Sequence, residues 1–355
     1  MGRGYLAAFL RRGIRLAAIS PRGFLYDAAF PLPAGIVELP SALARTLPEP
    51  DVGLGCIHPP RLDRLRGRLR ANLFVWEADR VPPAWVEPLA AGADVVIVPS
   101  SFTRDALVLS GFPGEKIEVV RYGHDIPVAG DSEVPALDRA PERPFTFLCV
   151  ASPHRRKGVL ELLAAYAAAF RIDDGVLLRI KTTYDPGAAR TRRSFEIPSW
   201  ARALEEAGLG RAGAPAVDLV VARCSDEEAR GLYLDADVVV APSWGESFGL
   251  AILEGLASGK PVVTTGWGGA LDFLPPGPDL LPFRTIEGGD ALYEPVSGAL
   301  QAVPDVDALR QRLRWHFEHR EESAALGRVA LQAAAALTWD AAAADLFRVL
   351  KKRSG

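Results

Sequence analysis

Long apolar stretches are missing from this sequence. Nowhere do eighteen apolar residues run together, so no transmembrane helix is expected. Cysteine is scarce, with only Cys56, Cys149 and Cys224 in 355 residues. No two of them stand at Cys-x-x-Cys spacing, and no histidine or cysteine partner lies at zinc-ligand spacing. A disulfide scaffold and a zinc ribbon are therefore excluded, and buried free thiols in a reducing, cytoplasmic setting are expected. Charge of one sign is also lacking. Forty-one basic residues face 44 acidic ones, a net charge of −3, which excludes the strong basic excess of a dedicated nucleic-acid binder. The opening MGRGYLAAFLRRG has a short apolar stretch without a cleavage site and is read as helix rather than signal peptide.

What is present is size and regular alternation. The chain is 49% hydrophobic and longer than a single core usually grows, so two domains are expected. Short, continuous apolar runs recur: RLAAIS (15–20), DVGLGCI (51–57), LFVWE (73–77), DVVIVPS (94–100) and IEVVRYG (117–123). A second series follows: FTFLCVAS (145–152), VLLRIKT (176–182), VDLVVAR (217–223), DVVVAPS (237–243) and PVVTTG (261–266). Helical patterns at 101–111, 158–170, 199–208, 226–234 and 249–258 separate them. Runs that do not alternate, placed between helices, are the pattern of parallel strands covered on both faces. The reading is α/β: two Rossmann-like domains facing a cleft, over 1–135 and 144–335, with a terminal helix over 336–355. The proline-rich, charged segment 127–144 is the expected linker.

The densest motif is APSWGESFGLAILEGLASGKPVV (241–263). A buried strand ends at Ala241, a loop carries Gly245 and Glu246, and a helix starts near Phe248 or Gly249. The first turn of a helix leaves backbone N–H groups unpaired, so Ser247, Phe248, Gly249 and Leu250 can offer donors to a phosphate or a sugar hydroxyl. Glu246 precedes the helix and Glu254 lies inside it, and carboxylates suit the vicinal hydroxyls of ribose and hexose rings. Spacing alone does not separate this from two solvent-facing glutamates beside a helix start.

This segment resembles the group 1 (family 4) glycosyltransferases of the GT-B fold. Their signature, a glutamate, seven residues, a second glutamate, then Gly-Lys-Pro-Val-Val, reads here as Glu246, SFGLAIL, Glu254 and SGKPVV (258–263). Further similarity lies in 98–125, in RRKGVLELLAAYAAAF (155–170) and in TGWGGALDF (265–273). The resemblance implies a retaining, metal-independent transferase that moves a hexose from a nucleoside-diphosphate sugar to a glycan, lipid or small-molecule acceptor. It implies no bound cofactor, since no Asp-x-Asp stands where a metal-dependent GT-A enzyme would need one.

By position, the resemblance gives Glu254 the donor ribose, Glu246 the transferred sugar, and the amides of Phe248, Gly249 and Leu250 the sugar and diphosphate. Lys157 matches the lysine that neutralises the leaving diphosphate. The arginine usual five residues before it is Ser152 here, which leaves Ser152, Arg155 or Arg156 as the second phosphate donor. The implied chemistry is front-face substitution, with the acceptor attacking on the side from which the diphosphate departs. His58 matches a histidine that contacts the transferred sugar from the other domain, and Glu77 would meet the acceptor. Other GT-B activities, epimerase or phosphorylase, and a non-catalytic sugar-nucleotide-binding module are the alternatives.

Three features stand apart. RLDRLRGRLR (Arg61–Arg70) carries five arginines, either a solvated helical face or a basic patch giving peripheral contact with the inner membrane face. His316 and His319, in a charged helix, are read as inert. Finally, a doubly wound domain normally opens with a strand, a glycine-rich turn and a helix. Here the turn and helix come at once, with Gly2 and Gly4, so the first N-terminal strand is expected to be missing and the true start to lie upstream of Met1.

Overall fold

The computed structural model describes residues 2–16, 18–20, 38–40, 48–56, 60, 62, 65–126, 143–183, 197, 199–288 and 296–354. They form two units, one of 1–125 together with 337–355, the other of 126–336.

In the second unit the apolar runs become β7 (Phe145–Val150), β8 (Val176–Thr182), β9 (Ala216–Val221), β10 (Val238–Ala241), β11 (Val262–Thr265) and β12 (Leu280–Leu281). They join in one parallel sheet of order β12-β11-β10-β7-β8-β9. The central strands β7, β10 and β11 are buried along nearly their whole length, which is why their sequences do not alternate. Helices α4 (Val159–Ala169), α5 (Trp200–Glu206), α6 (Asp226–Asp235) and α7 (Leu250–Ala257) connect the strands. Phe147, Leu162, Leu163, Tyr166, Trp200 and Leu313 are among the buried side chains of the core. Strand order reverses at β7, so the loops after β7 and β10 diverge at the sheet's carboxyl edge, the place where such folds bind ligands.

Antiparallel strands β13 (Phe283–Glu287) and β14 (Leu300–Pro304) follow, then α8 (Val306–Glu318) and α9 (Arg320–Ala334). The sequence does not announce this hairpin, because β13 is exposed along most of its length and carries no apolar run. His316, expected to be inert, is instead fully buried in α8. Its Nε2 meets Asp279 at 2.9 Å and its Nδ1 meets Ser323 Oγ of α9 at 2.8 Å, tying both helices to the strand edge.

The first unit opens on α1 (Gly2–Arg11), with no described strand ahead of it. Strands β1 (Ala18–Ser20) and β2 (Glu38–Pro40) pair in a small parallel sheet. A separate parallel sheet has the order β3 (Val52–Gly55), β4 (Leu69–Leu73), β5 (Val95–Val98), β6 (Ile117–Val119). Helices α2 (Pro83–Gly92) and α3 (Ser101–Leu109) lie between strands of this sheet in the chain. The last helix, α10 (Trp339–Arg353), packs on α1, and Trp339 stands edge-on to Tyr5 at 5.2 Å. His124 is buried and its backbone N–H donates to Leu337 O, while the backbone N–H of Trp339 donates to His124 O, so His124 anchors the start of the terminal helix.

One strand lies earlier than expected. The run LFVWE gives only Leu73 to β4, which otherwise takes the end of the arginine run. Leu69, Ala71 and Leu73 are buried there, while Arg70 forms a two-point ion pair with Asp94. Residues 61, 63 and 64 lie outside the described part, and Arg68 is paired with Asp51. The cysteines also depart in part from expectation. Cys149 is buried and its thiol is pushed up to about 12, but Cys224 is half-buried and Cys56 exposed.

Candidate functional site

The site is built where the β7–α4 loop meets the β10–α7 loop. The first carries Ser152 to Lys157 and ends on Gly158, the N-cap of α4, at φ 67°. A side chain at Gly158 would collide with the backbone, because a Cβ there would lie 1.8 Å from Pro242 O. Only glycine permits both this backbone conformation and this approach. Trp244 N donates to Arg156 O at 2.6 Å, and Arg156 Nη1 donates to Gly245 O at 3.2 Å. The two loops are thus clasped by one backbone–backbone bond and one bond from the Arg156 guanidinium to a loop carbonyl.

The clasp sets the charges. Lys157 Nζ donates to Glu246 Oε1 at 2.5 Å, and Ser243 Oγ donates to the same oxygen at 2.7 Å. Arg156 stands 3.8 Å from the other carboxylate oxygen. Burial works to raise the Glu246 carboxyl, but Lys157, Arg156 and Ser243 outweigh it and hold it below its ordinary value. Glu246 is therefore a fixed anion and a weak base. From behind, Gly269 N donates to Glu246 O at 2.7 Å, so the TGWGGALDF segment supports the same residue.

Arg155 is not part of this group. Its guanidinium forms two 2.6 Å bonds to the buried Glu161 of α4 and lies 4.2 Å over the Trp244 ring. Of the three alternatives for the second phosphate donor, Arg155 thus has its guanidinium bonded at two points to a buried carboxylate. Ser152 is half-buried, with its Oγ 2.9 Å from His154 Nδ1. Arg156 is the cation that accompanies Lys157 at the carboxylate.

Helix α7 has Gly249 as its N-cap, at φ 91°, a residue with no side chain to cap the first amides. The Phe248 side chain is buried against Phe273, with centroids 4.8 Å apart. Inside α7, Ile252, Leu253, Leu256 and Ala257 are buried, whereas Glu254 is half-buried. Its Oε2 accepts a 2.7 Å hydrogen bond from Tyr233 of α6.

His58 lies outside the described residues. Among the described residues, no group of three or more His, Cys, Asp or Glu is placed to hold a metal ion. Asp235 and Asp237 have Asp-x-Asp spacing, but Asp237 accepts from Thr146 N and Arg143 Nη2, both at 2.8 Å. No helix among the described residues is long and apolar enough to cross a membrane.

Comparison with known proteins bears on this geometry. Residues 144–313, which hold Ser152, Lys157, Glu246 and Glu254, match the family described as glycosyl transferases group 1. This region is a group 1 glycosyl transferase domain. The D-inositol 3-phosphate glycosyltransferase of Corynebacterium diphtheriae is 34% identical to the chain over 129 residues, 35% of this chain and 25% of that protein. The protein of the same name from Corynebacterium urealyticum is 30% identical over 277 residues, 75% of this chain and 58% of its own length. The chain thus spans between a quarter and somewhat over half of these two relatives. The solved structure of HepE from Anabaena with UDP-glucose superposes with a TM-score of 0.60 at 17% identity, over 80% of this chain and 72% of that one. The fold is GT-B, with two α/β units.

Two residues of the glycosyl transferase domain escaped the sequence reading. Ser243 lay inside the quoted motif, three residues before Glu246, and its Pro-Ser context was visible. Tyr233 carried no such signal, since a tyrosine near the end of an amphipathic helix reads as core.

Proposed function

We propose that the chain transfers a sugar from a nucleoside-diphosphate donor to an acceptor hydroxyl with retention of configuration. The observation that carries this reading is the Lys157–Glu246 pair held between the β7 and β10 loops, with Arg156 beside it. It brings cations for a leaving diphosphate and a carboxylate for a sugar hydroxyl to one point. Glu254, eight positions on and inside α7, is assigned to the donor ribose.

In this mechanism the acceptor oxygen forms a bond to the anomeric carbon as the carbon–oxygen bond to the diphosphate breaks. The electron pair leaves with the diphosphate, and the acceptor proton passes to a diphosphate oxygen on the same face. Lys157 and Arg156 meet the charge that develops there, an interaction worth more in the transition state than in the ground state. The depressed carboxyl of Glu246 suits a group that orients the sugar and does not remove a proton. The amides of Phe248, Gly249 and Leu250 stand where α7 begins, and a helix start favours an anionic ligand. Ser152 and Arg156 are assigned to the diphosphate, and His58 to the transferred sugar.

We assign the reaction to the cytoplasm, in keeping with such a donor. The names of the relatives make a phosphorylated cyclitol the first acceptor to try. Of the five arginines in the run, Arg68 and Arg70 are paired with Asp51 and Asp94, which lowers the positive charge these two offer a lipid surface. The test is incubation with UDP- and GDP-sugars and D-inositol 3-phosphate, glycan or lipid-linked acceptors, with the product's anomeric configuration read by NMR. A retained linkage supports the reading. An inverted linkage, or nucleotide-sugar binding without transfer or hydrolysis across the panel, overturns it.

A further inference from the structure

Glu254 lies in α7 between the buried Leu253 and Gly255, and its carboxylate meets Tyr233, the buried side chain of the otherwise largely solvent-facing α6. Tyr233, near the carboxyl end of α6, is 2% exposed, and its phenol donates to Glu254 Oε2 at 2.7 Å. Burial and the adjacent carboxylate both push the phenol's titration well above its ordinary value, so it remains a donor at any working pH. The glutamate side chain has several rotatable bonds, and a carboxylate that must meet two ribose hydroxyls together is useful only in one orientation. A charge-assisted bond from a buried, rigid ring supplies that orientation before the donor arrives.

We infer that Tyr233 is a positioning residue for donor binding, fixing the Glu254 carboxylate from behind so that it meets the ribose preorganised. This rests on the reading of Glu254 as the ribose-binding group. The end of α6 is docked independently of the phenol. The buried Lys260 donates its Nζ to Leu234 O at 2.8 Å, and the Tyr233 ring is itself part of the packing. Tyr233→Phe therefore removes one hydrogen bond and keeps the shape that holds the two helices together. The hydroxyl has no direct part in the reacting bonds, so its loss should fall on donor affinity and not on the chemical step.

The experiment is calorimetric titration of UDP and GDP into the full chain, the Tyr233→Phe and Glu254→Gln variants, and the double variant. Turnover at saturating donor and melting temperature are measured alongside. Tyr233→Phe is expected to weaken the diphosphate that binds the parent by about tenfold, with turnover at saturation within about twofold. The double variant is expected to bind no more weakly than Glu254→Gln alone, since the phenol acts through the carboxylate. If Glu254→Gln leaves affinity unchanged, the ribose reading of Glu254 is wrong and the inference goes with it. If Glu254→Gln weakens binding but Tyr233→Phe does not, the ribose reading stands and the inference is overturned. Additive losses in the double variant, or a lower melting temperature with unchanged affinity, would show that Tyr233 serves the fold alone.

Discussion

Gly158 meets the carbonyl of Pro242 so closely that no side chain fits between the β7–α4 loop and the β10–α7 loop. A Cβ at Gly158 would stand 1.8 Å from Pro242 O, and the residue adopts φ 67°. Backbone strain and steric overlap therefore act together on any substitution. Gly158→Ala is expected to destabilise the second unit by about 2 kcal/mol or more, because alanine is unfavourable at positive φ and the overlap is with backbone. Its melting transition should fall by several degrees. Nucleoside-diphosphate affinity should fall with it, since Lys157 precedes Gly158. A variant with the parent's melting temperature and affinity would show that the two loops are not held by this contact.

The Glu246 carboxyl makes stability depend on acidity in a definite direction. Burial tends to raise it, but Lys157, Arg156 and Ser243 together hold it below the ordinary 4.5. A carboxyl depressed on folding stabilises the folded state fully above its unfolded value and loses that contribution as pH falls through its folded value. The stability advantage of the parent over Glu246→Gln should therefore be constant from neutral pH down to about 5 and shrink below about 4.5. Denaturant unfolding across that range measures it. An advantage that grows on acidification would contradict the assigned charge state.

Much of this architecture was legible, and the failures have physical causes. The strands β7, β10 and β11 announce themselves because burial on both faces demands continuous apolar runs. Burial just past the end of a strand leaves the same apolar mark, so LFVWE reads as a strand of its own. Phe74 and Trp76 are buried but lie beyond the end of β4. Glu246 and Glu254 were legible as candidates because they share one contiguous motif, and Lys157 because it stands in a second, RRKGV. The neutralisation of Arg155 was hidden, since Glu161 lies six positions away with a turn of left-handed backbone between, outside any helical spacing. The pairing of Tyr233 with Glu254 joins two helices across 21 positions, and no local pattern encodes it.

The terminal helix should prove essential to the first unit. Trp339 is 7% exposed and packs against Tyr5 and Tyr122, and a Cβ on Gly4 would lie 2.3 Å from its ring. Trp339→Ala leaves a large cavity between α1 and α10, so a loss of about 3–5 kcal/mol is expected. Hydrogen exchange should show protection falling in α1 as well as in α10, because the two helices share this aromatic cluster. Unchanged protection in α1 would mean that the contact contributes little.

Arg155 and Lys157 are neighbours of like charge whose removal should do opposite things. Arg155 neutralises Glu161, which is 7% exposed, and covers Trp244, so Arg155→Ala leaves a buried carboxylate without its guanidinium. A fully buried pair broken in this way costs about 3–5 kcal/mol, and the partly exposed arginine brings the expected loss to about 2 kcal/mol. Turnover per folded molecule should change little. Among the described residues Lys157 has Glu246 as its side-chain ion-pair partner, and Glu246 keeps Ser243 and Arg156 when the lysine is gone. Lys157→Ala should therefore melt close to the parent yet lose about a hundredfold or more in turnover, the usual cost of removing a group that meets developing negative charge. Measuring melting temperature and turnover on both variants separates the roles. If Arg155→Ala lost activity at unchanged stability while Lys157→Ala kept it, Arg155 would be the diphosphate ligand and the assignment of Lys157 would be withdrawn.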